Sequence, residues 1–311
     1  MSWTGIKINL SLGSQQNPTL TITYKDKNKM LKTKSTNSRS VGLEQFYTTR
    51  HITDLVMAKI KHLPWFRSAT EFVEPSAGSG NFVDELQKHS PHTPVRAYDL
   101  QPKHRSVKKQ DYLKLNLGYK RGRVVIGNPP WGKRQQLSKQ FLNKAANEAD
   151  YIVFLVGASM RKPTVYSDVD KKLHLVMEHY LGDIKFEGPD GCSVKTVLQV
   201  WRKMNFDRVE KPATTSHSAF EFVKDHTEAD FAFTTHGSRV GDITPATLKA
   251  EQLTSKRLIK IKASNKNYVL SVFAAVDWKG WAGSRTTGQE SLGRSEVYDL
   301  YDVASANISI P

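Results

Sequence analysis

VVIGNPPWG, residues Val124 to Gly132, is the stretch on which the reading of the whole chain turns. An apolar run stops abruptly at an Asn, two prolines and an aromatic. Proline cannot donate to a sheet ladder and holds the residue before it in extended backbone. The pattern therefore predicts a buried strand that ends at Asn128. The Asn128 side chain, the Pro129 carbonyl and the Trp131 ring should then meet at a strand's C-terminal edge, where open α/β sheets bind ligands. Two acceptors and a flat ring suit a planar amine, although a strand followed by a Pro-Pro turn with a core Trp would read the same way.

Upstream, EFVEPSAGSGNFVDEL (residues 71–86) predicts a short strand, a turn through Gly78 and Gly80, and a helix that begins with Phe82, Val83 and Leu86. Glycine is needed where backbone turns sharply or passes close to a ligand that a Cβ would obstruct. A dinucleotide fingerprint would place a third Gly at position 83, which is Val, so that cofactor class is disfavoured. VRAYDL predicts the next strand, with Asp99 nineteen positions beyond Gly80. An acidic residue at about that distance holds ribose hydroxyls in nucleotide-binding α/β units. Before the first strand, QFYTTRHITDLVMAKI places Ile52, Leu55, Val56 and Ile60 at helical spacing, with Thr48 and Thr49 as candidate N-caps.

Taken together, these motifs resemble the S-adenosylmethionine-dependent amino-methyltransferases that modify adenine, in the γ-like motif order and in the manner of small phage and viral enzymes. NPPW looks like that family's NPPF/Y/W signature. The resemblance implies that Asn128 and Pro129 accept hydrogen bonds from the target amine, with Pro130 shaping the corner and Trp131 stacking on the extruded base. EPSAGSGNF is similar to the family's first cofactor motif, and FYTT resembles the FYTP segment that holds the methionine end, with Thr49 in place of the usual Pro. On that basis the cofactor set is Phe46, Tyr47 and Thr48; Glu74, Pro75, Ala77, Gly78, Gly80 and Phe82; Asp99 and Leu100; Asp111 and Tyr112; and Asn128. Asp99 would take the ribose and Asp111 the cofactor's adenine amine, with Tyr112 or Leu113 on its ring. The implied reaction is methylation of the exocyclic N6 of adenine in DNA. Such an amine is a weak nucleophile that no side chain deprotonates, so orientation and preorganised acceptors carry the catalysis.

The fold implied is a doubly wound, mostly parallel, seven-stranded methyltransferase sheet with a smaller C-terminal α+β region. LSKQFLNKAANEAD predicts a returning helix, YIVFLVGAS a strand covered on both faces, KKLHLVMEHYL a helix, and KTVLQVWRK a closing strand. The expected organisation is a basic arm or edge hairpin over 1–42, a catalytic domain over 43–204 and a target-recognition region over 205–311. Only fifty positions separate Gly78 from Asn128, too few to hold recognition between them. KPATTSHS reads as a linker into the last region. There the basic stripe of Lys256, Arg257, Lys260 and Lys262 suits either phosphate contact or a solvated edge, and Trp278 and Trp281 suit base stacking or core packing.

Over 311 residues, 46 Lys and Arg stand against 30 Asp and Glu, a formal charge of +16 that favours a polyanionic partner. The single Cys, Cys192, excludes a disulfide framework or thiolate cluster, and His217, His226 and His236 lack ligand spacing and carboxylate companions, so no metal is expected. No apolar run reaches membrane-spanning length and MSWTGIKINL has no signal pattern, so a soluble, intracellular, non-secreted protein is expected. Within the same chemistry an RNA adenosine methyltransferase is the alternative, and of another class, a non-catalytic nucleic-acid-binding module of the same fold. Glutamine methylation of a protein fits the charge less well.

Overall fold

Strand β1 (Glu71–Glu74) is buried along its whole length, and its alternate side chains enter two different cores. Phe72 points to one and Val73 to the other, as a period of two requires. This is a computed structural model, and it describes residues 46–187, 193–210, 212–246 and 256–308. The expected arm over 1–42 and Cys192 lie outside the described residues.

Preceding β1 are α1 (Arg50–Ile60), capped by the Thr49 hydroxyl, and the single turn α2 (Pro64–Arg67). After it come α3 (Asn81–His89), β2 (Val95–Asp99), β3 (Val107–Lys109), β4 (Arg123–Gly127), α4 (Gln136–Ala146), β5 (Tyr151–Gly157), α5 (Pro163–Tyr166), β6 (Leu173–Lys185) and β7 (Ser193–Lys203). These strands form one seven-stranded sheet in the order β3-β2-β1-β4-β5-β7-β6. The first five run parallel, and β7 lies antiparallel between β5 and β6. On one face Val124, Ile126, Val153 and Leu155 pack with α1 and α3; on the other Val125, Ile152 and Phe154 pack with α4. The sheet is therefore doubly wound, and reversal of strand order at β1 and β4 opens a crevice at their C-terminal ends.

At the opposite end of β1 and β4, Glu71 and Arg123 sit side by side in register and both are buried. The Arg123 guanidinium donates to Glu71 at 2.6 Å, and Arg96 and Lys120 approach the same carboxylate. Burial alone would raise the Glu71 carboxyl; the Arg123 hydrogen bond and charge, with Arg96 and Lys120, more than reverse it and hold it below the usual range.

KKLHLVMEHYL is not a helix. Residues Leu173–Lys185 form the edge strand β6, paired along β7 with irregularities at Leu175/Met177 and Tyr180/Gly182. Its leucines and Met177 also fit alternation, and the cross-strand partners on β7 supply contacts that local helix propensity cannot match.

The C-terminal region builds a second sheet, order β10-β9-β11-β8, from β8 (Phe220–Val223), β9 (Phe231–Thr234), β10 (Ile243–Pro245) and β11 (Lys256–Ile261). Helices α6 (Lys266–Ala275), α7 (Trp278–Ser284) and α8 (Arg294–Ser305) cover it around Phe220, Phe233, Phe273, Trp278 and Tyr301. Trp278 is a core residue whose indole donates to the Phe273 carbonyl. The stretch read as a linker is packed: Thr214 bonds Asp299 and His217 stacks on Tyr298. Lys162, Lys195 and Ser159 tie this region to the first sheet through Glu296, Glu290 and Thr287.

Candidate active site

Because β1 and β4 are adjacent and parallel, the turns that leave them open on one crevice. A cleft of about 480 Å3 is lined there by Pro75, Ser76 and Gly78 after β1, Asp99 and Leu100 after β2, the Asp111–Leu113 turn, and Asn128 through Gly132 after β4. Phe46 and Tyr47 close it on one side, and Leu137 and Phe141 of α4 on the other. The Ser76 hydroxyl donates to the Asn128 carbonyl at 3.0 Å, stitching the glycine turn to the proline corner. Beneath Tyr47 a narrower recess is bounded by Thr48, Glu74, Ala77, Asn81 and Phe82.

Residues 46–48 form a strap across this cleft. The Phe46 carbonyl accepts from Asn128 Nδ2 at 3.0 Å, Tyr47 exchanges backbone hydrogen bonds with Glu187, and the Thr48 carbonyl accepts from Asn81 Nδ2 at 2.7 Å. With Nδ2 spent on the strap, the Asn128 oxygen is fixed as the acceptor end. It accepts from the Trp131 indole at 3.2 Å and keeps a second lone pair. Among the described residues no hydrogen bond reaches the carbonyl of Pro129, a residue that lines the cleft.

Gly78 has a φ of +48° and donates to Asp99 Oδ2 at 2.8 Å; a Cβ there would meet the Tyr47 ring at 2.8 Å. Asp99 Oδ1 accepts from the Gln101 N–H, so its carboxylate is fixed at the rim. Asp111 accepts from the Leu113 N–H and caps the short turn that follows.

Glu74 lies 2 % exposed at the end of β1, and its Oε2 has no hydrogen-bond partner among the described residues. Burial, reinforced by Asp99 and Asp84, pushes its carboxyl well above the usual carboxylate range, against a smaller opposing effect of the Val83 backbone N–H. A buried carboxyl with one unpartnered oxygen beside a cleft fits a ligand that brings a cation or a donor to it.

Three expectations need correction. Trp131 is not an open platform: it is 3 % exposed, stacked on Phe46 at 5.9 Å and 25°, and edge-on to Phe186 at 5.7 Å. A buried indole needs acceptors, and Leu155 O and Asn128 Oδ1 supply them in this position. Gly80 does not line the cleft. With φ +80° it turns the chain into α3, and a Cβ on it would strike the His104 ring. Tyr112 directs its ring into the second core over Phe141 and donates to Glu148 at 2.8 Å; burial and Glu148 push its hydroxyl far above the ordinary phenol range.

Four participants went unforeseen. Ser76 lies within the quoted glycine motif, and Asn81 sits at the position where the helix starts. Phe186 follows the strand mistaken for a helix, so its approach to Trp131 had no sequence signal. Gln135, 3 % exposed, accepts from the Gly157 N–H at 3.3 Å and pins the loop after the proline corner.

No family model and no curated protein matches this sequence. Among solved structures it is similar to a Pyrococcus horikoshii protein with an inferred RNA methyltransferase activity: 19 % identity over 55 % of this chain and 92 % of that one, TM-score 0.41. It is also similar to TrmN from Thermus thermophilus, at 17 % identity over 50 % of this chain and 49 % of that one, TM-score 0.37. The 23S rRNA methyltransferase ErmE shares 12 % identity over 54 % of this chain and 74 % of that one, TM-score 0.38. It is the strand order and the cleft, rather than these distant likenesses, that define the architecture.

Proposed function

We propose that this chain transfers a methyl group from S-adenosylmethionine to the exocyclic N6 amine of adenine in DNA, with residues 205–311 contributing target recognition. The observation that carries the reading is a pair of adjoining hollows that share Phe46, Tyr47, Ser76, Gly78 and Asn128, one holding the buried, unpartnered Oε2 of Glu74 and the other lined by Pro129 with its unused carbonyl. The cofactor supplies an electrophilic methyl on a sulfonium. Glu74, the Gly78 turn, Asp99 and Asp111 would hold it, since together they offer carboxylates and close backbone approach to a cationic nucleoside.

Asn128 Oδ1 and the Pro129 carbonyl would accept hydrogen bonds from the target amine and turn its lone pair toward the methyl donor, with the spare amine proton passing to solvent after transfer. Ser76 and the Phe46 carbonyl hold Asn128 for that task. Stacking of the base on Trp131 requires Phe46 to leave its face. An aromatic pair contributes about 0.5–1.5 kcal/mol beyond burial and a stacked base about 1–3 kcal/mol, so the base offsets the lost ring pair in part or in full. Extrusion from a duplex adds a cost of a few kcal/mol that single-stranded DNA avoids.

The test is transfer of label from methyl-tritiated cofactor to single-stranded DNA, duplex DNA, RNA and glutamine peptides. Labelled DNA supports the proposal. Label on RNA alone replaces the substrate, and cofactor binding with no transfer to any acceptor removes the catalytic reading.

A further inference from the structure

The loop that leaves the proline corner is strained. Gly132, Arg134 and Gln135 have φ of +65°, +53° and +60°, and a side chain disfavours that region. Gln135 holds the conformation, buried with its Oε1 against the Gly157 N–H and the Ser138 hydroxyl. The outcome is that Lys133 and Arg134, consecutive cations, both stand exposed between Gly132 and Leu137, which line the cleft. Among the described residues neither forms an ion pair or a hydrogen bond through its side chain, whereas Lys139, one turn further on, is paired with Asp168 at 2.8 Å.

We propose that Lys133 and Arg134 are a phosphate clamp that grips the nucleic-acid backbone beside the target base at the mouth of this cleft. The inference rests on the function proposed above and adds to it the residues that hold the substrate's backbone. A phosphodiester chain carries a charge on each linkage next to the base being modified, and a glutamine in a protein carries none. Backbone cations fix register without reading sequence, which suits a pair displayed beside the acceptor atoms. The exposed positions and the absence of partners make their neutralisation harmless to the fold.

The test uses the full chain with Lys133→Gln and Arg134→Asn, singly and together; Asn tolerates the left-handed backbone at position 134. Fluorescein-labelled, adenine-containing oligonucleotides are titrated at several salt concentrations, as single strand and as duplex. Each lost phosphate contact lowers the slope of log affinity against log salt by about 0.7 for single strands and about 0.9 for duplex. The double variant should therefore lose about 1.4 or about 1.8 from that slope, with cofactor affinity unchanged. Neutral methylphosphonate linkages flanking the adenines should weaken binding of the parent protein and leave the double variant nearly indifferent. An unchanged slope, or an equal methylphosphonate effect in both proteins, overturns the clamp while the proposed activity stands. A parent protein with no salt-dependent binding to any oligonucleotide overturns both.

Discussion

Replacing Glu74 by Gln keeps the shape of a buried side chain and removes its charge, with opposite expected effects on the empty and the loaded protein. In the empty protein burial, then Asp99 and Asp84, raise the carboxyl well above its ordinary 4.5, so the folded chain holds a proton that the unfolded chain releases. Its contribution to stability is complete below about pH 4.5 and is lost as pH rises through the folded value. At alkaline pH the Glu74→Gln variant, with nothing to ionise, should melt at or above the parent temperature. In the loaded protein the cationic cofactor favours ionised Glu74. Parent affinity should then climb with pH by up to about tenfold per unit below the folded value. Losing a hydrogen bond to a charged group costs about 1.5–3 kcal/mol, so the variant should bind the cofactor about ten- to a hundredfold more weakly and with no such pH slope. Titration calorimetry across pH, paired with thermal melts without ligand, reads both effects. Unaltered affinity with an unaltered pH slope would refute the assignment of the Oε2 atom to the cofactor, and a lower melting temperature of the empty variant would refute the protonated state.

Asn128→Ala should cut turnover by about 10²–10³-fold, the loss typical of one preorganised hydrogen-bonding group, with cofactor affinity retained; single-turnover kinetics separate the two. Phe46→Ala removes the ring that covers Trp131, so acceptor binding should tighten by about two- to tenfold, matching the roughly 0.5–1.5 kcal/mol no longer forfeited; an equilibrium titration showing weaker binding would make Phe46 part of the base site instead. Arg123→Met takes the guanidinium from Glu71 Oε2 and leaves Arg96 and Lys120 at Oε1, so it should destabilise the fold in denaturant by about 1.5–3 kcal/mol, the loss of a hydrogen bond between charged groups. Because Arg123, Arg96 and Lys120 hold the Glu71 carboxyl low, its contribution is present above about pH 4.5 and fades on acidification through the folded value, a fade that should be smaller in the Met variant.

What the sequence revealed was whatever local chemistry dictates. Prolines at 129 and 130 end β4, glycines at 78 and 80 mark a turn between strand and helix, and Thr49 starts α1. Strand β6 was hidden because its run of Leu, Met, His and Glu satisfies a helix as well as a strand, and only pairing with β7 decides between them. The division of labour between the two glycines was also invisible. Gly78 faces the cleft through Tyr47, and Gly80 faces His104, a residue two dozen positions downstream. Trp131 was legible as an aromatic at the right corner, but its cover by Phe46 depends on a strap held by Asn128, Glu187 and Asn81 from three separate elements. Lone positions could not announce that arrangement.

Donor and acceptor must meet where the recess at Glu74 adjoins the cleft at Pro129, across their shared residues Ser76, Gly78 and Asn128. A bisubstrate analogue that joins adenine N6 to the cofactor skeleton through one carbon in place of the methyl measures this directly, by its dissociation constant in the parent, Glu74→Gln, Asn128→Ala and double variants. The account predicts binding tighter than either half alone, weakened by each substitution. An analogue that competes with the cofactor yet ignores Asn128→Ala, or binds no better than its cofactor half, would contradict it.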